Sequence, residues 1–244
     1  MGMIRKHFHD VIFDGKSLAD FGVHVSGANT FSAAERDYET VEVPGYNGSL
    51  HIDKNRFKSK TLSYSAFIFD NFAENASNFR NFMLSRSGAR RLEDSYNPDE
   101  YRLAVYKGPF DTEAILLRAG EFEIQFECTG ERFLKSGDEP KFFTANGKIH
   151  NPTYFPSKPL IRIYGSGTLG IGSNTIIVSS HLHPYIDIDC KIMDAYYEAT
   201  NCNNLVSLNI PSGKNYVELE PEDTGIVLGN GITKVIIWPK WWIV

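Results

Sequence analysis

Three segments of the sequence alternate strictly between apolar and polar residues, and this period of two is the pattern of a β-strand. Their apolar residues are Leu62, Tyr64, Ala66 and Ile68; Phe122, Ile124, Phe126 and Cys128; and Ile186, Ile188, Cys190 and Ile192. In the third segment Asp187 and Asp189 lie between the apolar positions and are predicted to face solvent. Strands with one apolar face are typical of antiparallel sheets that cover a core on one side. The alternation therefore predicts a mainly β protein.

One segment, NFAENASNFRNFMLSRSG, has the spacing of an amphipathic helix instead. Asn71 followed by Glu74 predicts a capping box at its start, and Gly88 predicts its end. Its apolar stripe consists of Phe72, Ala76, Phe79 and Met83. A stripe of this kind is typical of a core contact, so the helix is predicted to cover one face of a sheet.

The chain is predicted to contain two domains. Residues 144–159, TANGKIHNPTYFPSKP, contain three prolines and no apolar periodicity, which is typical of a linker or a domain-entry loop. Residues 1–143 are interpreted as a β-rich domain with the one helix. Residues 144–244 contain only strand-like segments and are interpreted as an all-β sandwich.

Composition excludes several classes of function. The 244 residues carry a formal net charge of −5 with no basic cluster, and a nucleic-acid binder needs clustered lysine and arginine to displace counterions. No apolar run reaches a membrane-spanning length or resembles a signal peptide. The three cysteines, without a CxxC motif, argue against a disulfide framework or a zinc site and favour folding in a reducing cytoplasm as buried thiols.

The acidic segment RRLEDSYNPDEYRLAVYKGPF, residues 90–110, is open to two interpretations. Its carboxylates could serve glycoside hydrolysis, which needs a pair of them across a cleft. However, Arg90, Arg91 and Arg102 flank these carboxylates, and ion pairing would lower their pKa values, which is unsuitable for a general acid. Tyrosine is favoured at protein interfaces. The segment is therefore predicted to have no catalytic residue and to offer contacts to other subunits through Asp94, Tyr96, Asp99 and Tyr101.

His181 and His183 stand two residues apart, with Asp187 and Asp189 nearby, so a weak metal site is conceivable there. Pro184 breaks the strand geometry directly after His183. The two aspartates already fit the solvent face of the third alternating segment. No metal and no cofactor are therefore predicted.

The C-terminal segment VIIWPKWWIV contains three tryptophans and also has two interpretations. Exposed tryptophan rings at Trp238, Trp241 and Trp242 would suit a carbohydrate site. Alternatively, the segment is a last strand that closes the sandwich, with Trp238 and Trp242 on one face and Trp241 on the other. The second interpretation is favoured.

Segments throughout the chain resemble, in order, the distal tail protein family of long-tailed phages. They are VIFDGKSLADFGVHVSG, ERDYETVEVPGYNGSL, RFKSKTLSYSAFI, the helix, RLEDSYNPDEYRLAVYKGPF, GEFEIQFECTGERFLKSG, NPTYFPSKPLIRIYG, IDCKIMDAYYEATNCNN and VIIWPKWWIV. The resemblance implies an N-terminal domain that assembles into a hexameric ring and a galectin-like C-terminal sandwich. It also implies a protein without catalysis of its own.

On this resemblance the predicted function is that of a structural hub in the virion tail. The hub would join the tail tube protein to the tip or baseplate proteins around a channel for DNA, after synthesis in the bacterial host cytoplasm. A carbohydrate-binding adhesion module that contacts the host cell surface is the alternative. Against it, IHNPT carries Thr153 where the galectin His-Asn-Pro-Arg signature has arginine.

Overall fold

The computed structural model describes residues 9–28, 31–109, 113–115, 119–211 and 213–244, with backbone alone at 113–115 and 119. The described residues form two compact units. One extends to Arg132 and includes Val244, and the other is Phe133–Ile243. The predicted fold class is confirmed: the described chain is mainly β with one α-helix. The domain boundary predicted from the sequence lies later in the chain, between residues 143 and 144.

The first unit contains one large sheet, one helix and a separate hairpin. Its elements are β1 (Val11–Phe13), β2 (Lys16–Ser17), β3 (His24–Ala28), β4 (Arg36–Glu42), β5 (Ser49–Phe57), β6 (Lys60–Ile68), α1 (Phe72–Leu84), β7 (Arg90–Asp94), β8 (Glu100–Val105), β9 (Glu113–Ile115) and β10 (Ala119–Leu134). The sheet has the order β2-β1-β7-β8-β10-β6-β3, and β9 also pairs with β10. β4 and β5 pair with each other as a two-stranded sheet.

The alternation predicted for β6 and β10 is confirmed. The two strands are antiparallel, with Tyr64 opposite Ile124 and Leu62 opposite Phe126. The apolar residues of both strands are buried in one core, which α1 covers. Phe79 of α1 lies with its ring centre 5.8 Å from that of Phe122. The helix therefore packs on the apolar face of the sheet.

The predicted capping box of α1 is wrong, although the predicted stripe is buried. Asn71 stands at the N-cap with φ 46°, and its side chain makes no capping hydrogen bond. Its backbone carbonyl instead accepts from the amides of Glu74 and Asn75. The expected capping bond of the Asn71 side chain is therefore absent. The helix ends at Leu84, before Gly88.

A tight turn joins β1 and β2 at Asp14 and Gly15. Their φ angles are 49° and 78°, and a two-residue hairpin turn of type I′ requires positive φ at both positions. Asp-Gly is favoured in this turn because glycine adopts such φ without strain and aspartate tolerates it.

The second unit is a sandwich of two sheets. Its strands are β11 (Lys141–Phe143), β12 (Gly147–Asn151), β13 (Leu160–Gly165), β14 (Gly167–Ile171), β15 (Asn174–Val178), β16 (Ile186–Asp189), β17 (Asp194–Tyr197), β18 (Thr200–Asn201), β19 (Val206–Asn209), β20 (Glu222–Leu228), β21 (Ile232–Trp238) and β22 (Trp242–Ile243). One sheet has the order β11-β21-β13-β16-β17-β18, and the other β12-β20-β14-β15-β19. Isoleucine, leucine and valine side chains from both sheets form its core.

Three expectations for this unit need correction. Residues 147–151 of the expected linker are strand β12, because the segment pairs with β20. Asp187 is buried rather than solvent-facing, because Arg162 on β13 lies over it and donates to both carboxylate oxygens at 2.7 and 2.8 Å. Ile192 is 61% exposed, because the strand ends at Asp189.

Candidate assembly interface

The acidic segment does not form one exposed surface. β7, a turn at residues 95–99 and β8 divide it. Asp94 and Tyr101 are buried within the unit, while Asp99 is exposed. Tyr96 is half-buried and stacks on the His9 ring with centres 3.8 Å apart. Of the four predicted contact residues, only Asp99 and part of Tyr96 reach the surface, and their role in subunit contacts stays a prediction.

Asp94 is the centre of a buried polar network. It accepts a hydrogen bond from the hydroxyl of Tyr64 at 2.9 Å and one from the amide of Asn97 at 2.9 Å. The Arg102 guanidinium lies 3.5 Å from the same carboxylate. Burial raises the pKa of Tyr64 above its ordinary value, and the Asp94 charge raises it further. The network joins β6, β7 and β8, so its function is structural.

Two other acids of this segment, Glu93 and Glu100, are also paired. Glu93 pairs with Arg91 at 2.6 Å, and Glu100 pairs with Arg132. The predicted neutralisation by neighbouring arginines is therefore observed for Glu93 and Asp94. Arg132 lies outside the segment, so the partner of Glu100 could not be read from local sequence.

The β4–β5 hairpin exposes apolar side chains near its turn. In its register Val41 stands opposite Leu50, and Glu39 opposite Ile52. Directly opposed residues lie on the same face of a hairpin, so Val41, Leu50 and Ile52 share one face. Leu50 is 52% exposed and Ile52 is 47% exposed. We call the turn and these three residues, 41–52, the hairpin tip.

Most charged side chains of the hairpin lie towards the opposite end and are paired within it, whereas Glu42, close to the turn, is exposed. Four ion pairs connect the two sides there: Arg36–Asp53 at 2.7 Å, Arg56–Asp37 at 2.7 Å, Lys58–Glu35 at 3.2 Å and Lys54–Glu39 at 3.5 Å. The hydrogen bond from Arg56 is the main cause that lowers the pKa of Asp37. The hairpin thus has a charged base, and Glu42 is the one charged residue of the aspartate, glutamate, lysine and arginine types in its tip.

The base of the hairpin lies close to β10. A Cβ atom on Gly130 would stand 2.5 Å from Cβ of Phe57 and 3.0 Å from the carbonyl oxygen of Lys58. Only glycine allows the hairpin backbone to approach β10 this closely. The position of the base is therefore fixed, while the tip extends away from it.

A second apolar surface lies at the β3 edge of the large sheet. Phe67 points away from the core, since it alternates with buried Ala66 and Ile68. The His24 ring stacks on Phe69 with centres 4.8 Å apart, and Phe67 lies 5.8 Å from Phe69. Phe69 is 44% exposed. We call His24, Phe67 and Phe69 the edge patch.

The β4–β5 hairpin is not among the elements predicted from the sequence. Two turn signals were present in it, Pro44-Gly45 and Asn47-Gly48, between runs that alternate over Val41 and Leu50. Gly45 and Gly48 have φ of 82° and 100°, as such turns require. The signal that could have found the hairpin was therefore local.

The three tryptophans do not form one exposed aromatic surface. Trp241 is buried in the core of the second unit. The ring of Trp242 stacks on Phe155 with centres 4.4 Å apart, and its indole N–H donates to the carbonyl of Pro156 at 2.9 Å. Trp238 is half-buried, with the Arg162 guanidinium 5.6 Å from its ring centre. This arrangement favours a structural role for the last strands.

His181 and His183 stack on each other with ring centres 5.9 Å apart. His183 also stacks on Tyr197 at 4.9 Å. Within the described ranges no group of three or more histidine, cysteine, aspartate or glutamate side chains could hold a metal ion. Nor does the described part of the chain contain a helix of the length and apolarity that spanning a membrane requires.

Comparison with known proteins gives a match to one family model and several similar solved structures. Residues 16–128 match the family model of the phage tail protein RIFT-related domain. The chain is similar to the crystal structure of Dit from phage SPP1, described as a paradigm of the hub adsorption apparatus in phages that infect Gram-positive bacteria. That likeness has a TM-score of 0.72 and 13% identity, over 97% of this chain and 99% of the other.

The second similar structure is a chain of the phage p2 baseplate in its activated conformation with Sr. Here the TM-score is 0.53 and the identity 12%, over 94% of this chain and 97% of the other. No curated protein sequence matches the chain. At these identities the likeness is one of fold, and it extends over nearly all of each chain.

The family match and the fold likeness agree. The matched residues 16–128 lie within the first unit, and the fold likeness covers both units. The resemblance predicted from the sequence is confirmed: residues 16–128 match the phage tail protein RIFT-related domain, and the chain has the fold of the Dit protein of phage SPP1.

Proposed function

We propose that this protein is a structural subunit of a phage tail hub, without catalytic activity. The proposal rests on the match of residues 16–128 to a phage tail domain, together with a likeness of fold to a hub protein over nearly the full chain. The subunits assemble into a ring, with six copies the expected number. The ring joins the tail tube to the baseplate or tip in the virion tail, after synthesis in the host cytoplasm.

The two units have different roles in this proposal. The first unit forms the ring, because it carries exposed apolar side chains at Leu50 and Ile52 of the hairpin tip and at Phe69. The second unit, a closed sandwich of the galectin-like kind, serves as a docking platform for neighbouring tail proteins. Its tryptophans contact the protein itself, which supports docking rather than glycan binding.

The ring surrounds a channel through which DNA passes. A wall that binds DNA tightly would hold the genome back, and a net charge of −5 without a basic cluster suits a wall that does not. Affinity for duplex DNA at physiological salt is expected to be weaker than the ~10⁻⁴ to 10⁻⁶ M typical of non-specific binding by basic proteins.

Light scattering coupled to size-exclusion chromatography tests the proposal on the full chain. The expected mass is a single multiple of the 27.5 kDa chain, six-fold for the hexamer, and electron microscopy of that peak should show rings. A glycan array on the same sample distinguishes the alternative. A monomer that binds glycans would contradict the hub and support an adhesion module.

A further inference from the structure

We infer that one face of the second unit binds a proline-rich segment of a neighbouring protein, held in the extended polyproline II conformation. The inference rests on the proposed docking role of this unit, and it names the surface and the chemistry of the partner. The surface consists of Tyr164, Tyr185 and Trp238 together with Arg162 and Lys234, and we call it the aromatic face.

The alternation of β13 and β21 places the aromatic face on the outer side of their sheet. In both strands the residues that alternate with it are buried in the core of the unit: Ile161, Ile163, Val235 and Ile237. Successive side chains of a strand point to opposite sides, so the aromatic-face residues of both strands point outward. Tyr185 directly precedes β16, the strand that pairs with β13.

Cation–π contacts hold the rings of the aromatic face in place. The Arg162 guanidinium lies 3.9 Å from the ring centre of Tyr185 and 5.6 Å from that of Trp238. The Lys234 ammonium lies 4.5 Å from the ring centre of Tyr164, which is 5.7 Å from that of Tyr185. Two hydrogen bonds to a buried carboxylate fix Arg162 itself. The rings are therefore preorganised, and a preorganised surface loses less entropy when it binds a partner.

The aromatic face retains hydrogen-bond donors for a partner. All five of its side chains are only half-buried in the single chain. The indole N–H of Trp238 makes no hydrogen bond to a described residue, whereas that of Trp242 donates to the Pro156 carbonyl. Lys234 makes no ion pair within the described ranges. A partner that accepts hydrogen bonds can therefore use both groups.

The carboxylates beside these rings are already engaged. Both oxygens of Asp187 accept from Arg162, and Asp189 accepts from the backbone amides of Lys191 and Ile192. Every sugar hydroxyl carries a donor, so a glycan requires free acceptors on the protein. Proline has no backbone N–H, and a proline-rich segment offers carbonyl acceptors alone. The hydrogen-bonding groups of the face therefore match a proline-rich segment better than a glycan.

The spacing of the rings also suits a polyproline II helix. The row continues from Tyr185 to Tyr197, with ring centres 5.0 Å apart, and on to His183 at 4.9 Å. The helix rises about 3.1 Å per residue, so two residues span about the distance between neighbouring rings. It has no internal hydrogen bonds and leaves its carbonyls free. Aromatic-lined surfaces are the usual receptors of this conformation, which is already extended before it binds.

A peptide of ten prolines with a fluorescent label at its N-terminus tests the inference on the full chain. Fluorescence anisotropy should show saturable binding, whereas a labelled peptide of ten alternating glycines and serines should not bind. Tyr185→Ala should weaken binding of the proline peptide at least about tenfold, because aromatic anchors dominate interface energies. Tyr154→Ala, at a tyrosine that is 94% exposed between β12 and β13, is the matched control and should bind as the unmodified protein does.

A second variant, Trp238→Phe, keeps the test decisive if Tyr185→Ala fails to fold. It retains an aromatic ring and removes the indole donor, so binding should weaken between about twofold and tenfold, the contribution of one hydrogen bond. In the unmodified protein the peptide should also shift the tryptophan emission to shorter wavelength, because Trp238 loses contact with water. Trp238→Phe should abolish that shift, since Trp241 is buried in the core.

Two results would overturn the inference. One is an unmodified chain that does not bind the proline peptide, or binding that Tyr185→Ala and Trp238→Phe leave unchanged. The other is binding of neutral oligosaccharides that depends on Trp238, without binding of the peptide, which would assign the face to carbohydrate. Light scattering on the same samples separates this inference from the proposed function. A ring that does not bind the peptide contradicts only the inference, whereas a monomer that binds it contradicts the ring.

Discussion

The Arg102 guanidinium lies 3.5 Å from the Asp94 carboxylate, and the two side chains are only 6% and 2% exposed. The carboxylate also accepts the Tyr64 hydroxyl and the Asn97 amide. A buried charge is tolerated when its partners satisfy it, and removal of one partner leaves it uncompensated. This pair holds neighbouring strands of the large sheet in the first unit.

Replacing Arg102 should therefore destabilise the first unit strongly. Arg102→Met keeps much of the side-chain volume but leaves Asp94 buried without a counter-ion. The expected loss in the free energy of unfolding is about 3–5 kcal/mol. Urea unfolding monitored by circular dichroism measures it. Lys107→Met is the control, because the Lys107–Glu127 pair is solvent-exposed and should contribute less than about 1 kcal/mol. Equal losses in the free energy of unfolding for Arg102→Met and Lys107→Met would contradict the larger contribution expected of the buried pair.

Truncation of Phe79 should show that α1 is part of the core of the first unit. Its side chain is fully buried and contacts Phe21 and Phe122. Phe79→Ala should cost about 3–5 kcal/mol through lost burial and the cavity that it leaves. Asn78→Ala, at the exposed neighbouring position, should change the free energy of unfolding by less than about 0.5 kcal/mol. A small effect of Phe79→Ala would mean that the helix is not packed as described.

A methyl group at Gly137 should disrupt the second unit. The added Cβ would stand 2.3 Å from the backbone nitrogen of Trp241, so the last strand must shift. Gly137→Ala is expected to lower the melting temperature by several degrees, since ~1 kcal/mol corresponds to ~2–4 °C in a chain of this size. Gly225→Ala, where nothing lies within 4 Å of the added atom, should leave the melting temperature nearly unchanged. Calorimetry of both variants measures the two melting temperatures, and equal values would contradict the predicted clash at Gly137.

The three thiols should be unreactive in the native protein. Cys128, Cys190 and Cys202 are all buried. Burial raises the pKa of Cys128 to about 12 and also raises that of Cys190, and the thiolate is the reactive form. Mass spectrometry after treatment with iodoacetamide at neutral pH should detect no labelling in buffer and three labels in concentrated urea. Rapid labelling of the native chain would contradict the burial.

Stability should fall in alkali because of buried tyrosines. Burial raises the pKa of Tyr216 to about 12, whereas an unfolded tyrosine releases its proton near about 10. Above about pH 10 the unfolded state therefore binds fewer protons than the folded state, and the free energy of unfolding decreases as the pH rises towards about 12. Tyr216→Phe should reduce this decrease, and Tyr46→Phe, at an exposed site, should not. Urea titrations between about pH 9 and 11 measure both slopes.

The core strands and the helix could be predicted from the sequence because their patterns are local. Alternation over Leu62 to Ile68 and over Phe122 to Cys128 needs no knowledge of the partner strand. Which side chains cover a given face of a strand is not determined by the local sequence. Asp187 alternates like a solvent-facing residue, yet Arg162, 25 positions earlier, covers it.

Strand ends and loop burial were harder to predict for the same reason. Ile192 continues the apolar alternation, but the Asp189 carboxylate accepts from the amides of Lys191 and Ile192 and turns the chain there. In the sequence Asp94 resembles an exposed acidic residue of a loop. In the structure it is buried and accepts a hydrogen bond from Tyr64, which lies 30 positions earlier. Two of the residues predicted to contact other subunits, Asp94 and Tyr101, are therefore buried. The candidate interface could be identified only from the side chains that are exposed in the structure.

The ion pairs at the hairpin base also prevent the two strands from sliding past each other. Tyr38 stands opposite Asp53 and Glu39 opposite Ile52 in the observed register. A slip by one residue in one direction would set Glu39 opposite Asp53, and a slip in the other would set Asp37 opposite Asp53. Like charges directly opposed are destabilising, and either slip would also exchange the faces of the strand. Every copy of the chain therefore presents its tip at one length and one orientation, as the proposed ring of identical subunits requires.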